Sequence, residues 1–116
     1  MKNYVNDSIA IQLHNTGIII KSPYHIAMDD YDIVYQPHLM DVIIYIKEHF
    51  DLCLDVALLS NNLYDYAILS TKTFFMGEIK PYYVSSVSER SEQWCDSASK
   101  AIEVCFKNDF FLKEEE

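Results

Sequence analysis

Glycine is almost missing from this chain: Gly17 and Gly77 are the only two in 116 residues. A phosphate-cradling loop or a dinucleotide turn needs several glycines close together, where the backbone must approach its ligand, so neither can be built. A Gly-x-Ser-x-Gly nucleophile turn is excluded on the same ground. Positive charge is scarce as well, with nine Lys and Arg against 18 Asp and Glu, a formal net charge of −9. The basic residues are scattered and no two are adjacent. Phosphate backbones and anionic headgroups are held by clustered cations, so direct nucleic-acid binding and adhesion to a membrane surface are both disfavoured. No apolar run approaches the roughly 20 residues of a membrane span. Met1 to Asp7 lacks the basic-then-apolar pattern of a signal peptide, and a cytoplasmic location is expected.

Cysteine is sparse, and its three positions (Cys53, Cys95, Cys105) are odd in number and far apart. That pattern suits free thiols in a reducing compartment better than a disulfide framework. A zinc site needs three or four ligands converging on one point. His38 and His49 are eleven residues apart, which on a helix separates them by about 16 Å of rise. No metal site and no cofactor is expected. The acids Asp29, Asp30 and Asp32 lack the loop glycine and terminal Glu of a calcium loop and read as a solvated turn. For nucleophilic catalysis the thiols on a helix act as small hydrophobes, leaving Cys53, beside Asp55, as the thiol to test. No catalytic residue is assigned, and the expected protein is not an enzyme.

Half of the residues are apolar, enough for one core in one domain, 1–116, with 113–116 as an acidic C-terminal tail. Asp7 to Gly17 reads either as a helix with Ile9, Ala10 and Leu13 on one face or as an alternating strand. Gly17, placed just after the last periodic residue, favours the helix. Tyr24–Met28 and Tyr31–Tyr35 form a short β pair about Asp29-Asp30. Pro37 opens a helix on which Leu39, Val42, Ile43, Ile46 and Phe50 share a face, with Met40 and Ile44 widening it. Leu52–Leu59 alternates, Asn61-Asn62 is turn chemistry, and Leu63–Ser70 completes a hairpin. Two registers are open, and the one that sets Tyr66 and Ile68 beside the leucine face buries the larger side chains. Thr73–Met76 and Tyr82–Val84 suggest a third strand, bent at Gly77 and Pro81. Ser86 or Ser88 caps the last helix, Ser86 and Glu89 fitting a capping box. On that helix Trp94, Ala98, Ala101, Ile102, Cys105 and Phe106 share a face. The fold class is therefore α+β: a small antiparallel sheet of about three strands, a short extra β pair, and two to three helices on one face.

The pattern Ser8-x-Ala10-x-x-Leu13-x-x-x-Gly17, followed by Tyr35-Gln36-Pro37-His38-Leu39 opening a helix, resembles small uncharacterised phage and prophage-type α+β proteins. An aliphatic strand, a Tyr-rich strand and a final acidic helix follow in the same order, although Trp94 and Ser97–Ser99 depart from an Glu-and-Ala-dense last helix. The resemblance implies the helical reading of 8–16 and transfers no activity.

The unusual feature is aromatic content, nine Tyr and six Phe, concentrated in strands. Tyr64, Tyr66, Phe74, Phe75, Tyr82 and Tyr83 are the candidate interaction surface, because Tyr supplies large contact area with a polar handle. Plain sheet packing is the competing account of the same residues. The expected function is protein–protein contact, most simply self-association. An acidic inhibitor or decoy of a nucleic-acid-binding partner is the alternative, and a small thiol- or His-dependent enzyme a third.

Overall fold

The computed structural model describes residues 3–27, 33–70 and 81–108. Its elements run α1 (Asp7–Thr16), β1 (His25–Ala27), β2 (Ile33–Tyr35), α2 (Leu39–Phe50), β3 (Leu52–Leu58), β4 (Tyr64–Ser70), β5 (Pro81–Val84) and α3 (Trp94–Lys107). They form the expected α+β fold, with a two-stranded pair β1-β2 and a three-stranded antiparallel sheet in the order β3-β4-β5. Among the described residues no helix is long and apolar enough to cross a membrane. Thr73–Met76, and with it Phe74 and Phe75, lies outside the described residues, as do the Asp29-Asp30 turn and the tail 113–116.

Residues 7–16 are helical for the reasons the end residues supply. The Asn6 side chain accepts the Ile9 N–H at 2.8 Å, closing the N-terminus. At the other end Gly17 takes φ +83°, its N–H bonds to the His14 carbonyl, and the Ile18 N–H bonds to the Leu13 carbonyl. Both bonds require the left-handed residue that glycine adopts without a side-chain penalty. α2 starts two residues later than Pro37 suggests. His38 is its N-cap, with Nδ1 accepting the Met40 N–H at 3.1 Å, and the Pro37 carbonyl is instead taken by Val5 N–H.

The hairpin register pairs Leu54 with Ile68 and Val56 with Tyr66, the bulk-burying choice. Its turn is a three-residue loop in which the Asn62 N–H bonds to the Leu59 carbonyl, the Leu59 N–H bonds to the Leu63 carbonyl, and Asn62 takes φ +65°. The final helix departs from expectation. The Ser86–Glu89 capping box is present, but it closes a 3-10 turn, Val87–Glu89; α3 begins at Trp94 after Gln93, whose side chain makes no capping bond.

One core joins these pieces. Ile9 and Leu13 of α1, Val34, Leu39, Val42 and Ile46, Leu54, Tyr66 and Ile68, and Ala98, Ala101, Ile102 and Cys105 of α3 belong to a single buried cluster. The two alanines of α3 let its axis lie near β3 and β4, both of which it packs against.

Candidate functional site

In β3 the side chains alternate, with Leu52 and Leu54 buried and Val56 half-buried on the helix side, and Cys53, Asp55 and Ala57 on the other. Pairing carries that second face across the sheet: Cys53 lies opposite Leu69, Asp55 opposite Ala67, Ala57 opposite Asp65, and Ala67 opposite Val84. The described helices that contact the sheet, α2 and α3, share the core with the opposite, leucine-bearing face. Asp55, Ala57 and Val84 are exposed, while Cys53, Asp65, Ala67 and Leu69 are half-buried. This face is the candidate contact surface: small apolar groups about two carboxylates.

Of the six aromatic residues expected at a contact surface, the structure stacks two on the helix side of the sheet, one buried and one half-buried. Tyr66 is 1% exposed and belongs to the core, so it is no interaction residue. The parity of the hairpin register turns it towards the helices, and Tyr83, paired with Ile68, follows it. Their rings stack with centroids 5.9 Å apart. Tyr64 is half-buried, its carbonyl accepting from the buried Ser97 hydroxyl at 3.0 Å. Tyr82 alone of the described four is largely open, at 55%, beside the β-bulge between Ile68 and Leu69.

The stacked pair ends on a carboxylate that the sequence reading assigned only to a cap. Glu89 accepts from the Tyr66 hydroxyl, from the Tyr83 hydroxyl at 2.7 Å, and from the Ser86 N–H at 3.1 Å. The hydrogen bond from Tyr66 above all, with those from Ser86 and Tyr83, holds the Glu89 carboxyl down to about 2. Burial, then the Glu89 contact, pushes the Tyr66 phenol well above its ordinary range, and the bond to Glu89 raises Tyr83. A carboxylate and two phenols so tuned stay in their starting protonation states near neutrality. They form a latch between sheet and 3-10 turn and lack a group poised to exchange a proton there. Glu89 stands 23 residues from Tyr66, and no local pattern announces that partnership.

Cys53 lies on the face turned away from the described helices and is half-buried, whereas Cys95 and Cys105 are buried. Burial alone pushes the Cys105 thiol up to about 12, which leaves it a packing group. Among the described residues no three His, Cys, Asp or Glu side chains converge as metal ligands. A separate open groove of about 840 Å³ runs between the start of α1 and α3, lined by Asp7, Gln36, Cys95, Asp96, Lys100 and Glu103 among others. Four of its polar groups already serve the fold: the Gln36 amide donates to Val5 O and Asp7 Oδ1, and Lys100 Nζ donates to Glu89 O and Ser91 Oγ. Compared with protein-family models, curated proteins and solved structures, the chain matches none of them.

Proposed function

We propose that this protein acts by contact with another protein, through the face of the three-stranded sheet that the described helices leave uncovered. The supporting observation is the one-sided packing: α2 and α3 meet the leucine face, and Ala57, Ala67, Leu69 and Val84 remain on the other with Asp55 and Asp65. Small side chains let a second surface approach closely, and the two carboxylates favour basic groups in it. A nucleic-acid-binding protein, basic where it meets phosphate, belongs to that class of partner. Ala67→Arg tests the reading, because Ala67 sits on the central strand and a long cation there covers the face. Capture of the partner from the source organism's lysate is expected to fall at least tenfold with circular dichroism unchanged. Equal capture by both proteins rejects the reading.

A second reading is self-association, favoured by the exposed apolar side chains Leu58 (59%), Tyr82 (55%), Val84 (55%) and Val87 (72%). Sedimentation equilibrium separates the two: a mass that stays at one chain's 13.6 kDa up to high concentration removes self-association, and a concentration-dependent doubling supports it.

A further inference from the structure

We infer that the open edge of β3 is a docking strand for an extended, basic segment of a partner protein. This rests on the contact reading above and names the form of the partner. Leu59 N–H bonds to the Leu63 carbonyl at 2.8 Å, so the odd-numbered residues of β3 are those whose backbone faces β4. β4 agrees: Tyr64 and Tyr66 direct their backbone groups the other way, to Ser91 and Ser85. The N–H and C=O groups of Leu54, Val56 and Leu58 therefore point out from the sheet. Among the described residues no strand pairs beyond β3, and no loop bond reaches these groups. An unpaired ladder of this length is a template for another strand.

The side chains along the edge decide which strand fits. A segment laid beside β3 places alternate residues on the helix side, against half-buried Val56 and the exposed Leu58, where apolar groups are favoured. The residues between them fall on the uncovered face, one directly opposite Asp55. Cross-strand neighbours lie about 5 Å apart there, and Asp65, diagonal to Asp55 on the next strand β4, adds a more distant second negative charge on the same face. A lysine or arginine is the complement.

The same carboxylate argues against a second copy in this position. Asp55 is the central residue of the seven in β3. Antiparallel pairing of β3 with itself over its whole length sets Asp55 against its own equivalent. Any shift that keeps the outward groups facing each other shortens the pairing by at least two residues. Like charges directly opposite are destabilising, and the whole chain carries −9.

The test is a titration of the isotope-labelled full chain, followed by its amide resonances, with a capped seven-residue peptide of alternating valine and threonine carrying lysine at the centre. The expected result is chemical-shift change and slowed hydrogen exchange at Leu54, Val56 and Leu58, with a glutamate-centred peptide binding about tenfold more weakly, the effect of exchanging one attractive pair for a repulsive one. Asp55→Lys reverses that preference. Val56→Pro removes an outward N–H and leaves the ladder to β4 intact; it is expected to abolish binding. Shifts that map elsewhere, equal binding of the two peptides, or no reversal in Asp55→Lys overturn the inference. Ala67→Arg keeps the edge, so failure of the peptide together with loss of capture in Ala67→Arg refutes the edge alone and leaves the face reading in place.

Discussion

At the scale of single residues the most constrained group is Glu89. It takes hydrogen bonds from Tyr66, Tyr83 and Ser86, and those bonds are strongest while it is ionised. Its carboxyl is depressed from the unfolded value near 4.5 to about 2 in the fold. A depressed acid adds stability that is complete above the unfolded value and disappears as pH falls through the folded one. The stabilisation is therefore lost between about 4.5 and about 2. Glu89→Gln is expected to unfold more readily than the parent at pH 7 and to lose less between pH 5 and 2, read from urea midpoints across pH. Parallel midpoints for the two proteins over that range are the contrary result. Tyr66→Phe removes a donor to a charged acceptor and is expected to lower stability by about 1.5–3 kcal/mol. The preferred register turns Tyr66 inward, but its partnership with Glu89 was not legible in the sequence. The Ser86-x-x-Glu89 spacing signals a cap and nothing more, and Tyr66 as a strand aromatic fits a buried face as well as an exposed one. The hairpin parity decides between them, and which carboxylate then meets the phenol is fixed by the fold of the later turn.

Among the elements, those with their own punctuation were readable and those shaped from a distance were not. α1 is announced by Asn6 and Gly17, and the hairpin register by the bulk of Tyr66 and Ile68. The start of α3 was misplaced because a capping box is a local device. It closes whichever turn follows it, and here the chain makes one 3-10 turn and passes through a bridge at Ser91 and a bend at Glu92 and Gln93 before winding again. The punctuation at Gly17 carries a measurable cost when changed. A Cβ built there meets nothing within 4 Å, so Gly17→Ala is penalised by backbone conformation alone, about 1 kcal/mol. The urea midpoint is expected to fall with an unchanged slope. A larger loss would mean that packing is disturbed, contrary to the open space at that position.

For the molecule as a whole, charge is the dominant property. Eighteen acids against nine bases repel one another in the compact state, and salt screens that repulsion within about 10 Å at 0.1 M. The melting temperature is therefore expected to rise as sodium chloride increases from 10 to about 300 mM, the range over which the screening length shrinks most usefully. A falling melting temperature would mean that attractive pairs outweigh the net charge. The two contact readings respond oppositely to the same variable: self-association of an anionic chain strengthens with salt, and capture of a basic partner weakens. The charge is read from composition and the fold class from the order of periodic segments, but neither says which face of the sheet the described helices pack against.

The buried Gln36 amide, 6% exposed, gives both its protons to the opening segment of the chain, to the Val5 carbonyl and to Asp7. Beside it Val5 N–H and the Pro37 carbonyl are joined, as are Leu39 N–H and the Asn3 carbonyl. Asn3, Val5 and Asp7 are thus stitched to residues 36–39, and losing those partners would strand an amide in an apolar interior. The seam that α1 and α2 share therefore depends on a segment that belongs to neither helix: replacing Gln36 with Leu, which removes both donors, is expected to lower the urea midpoint.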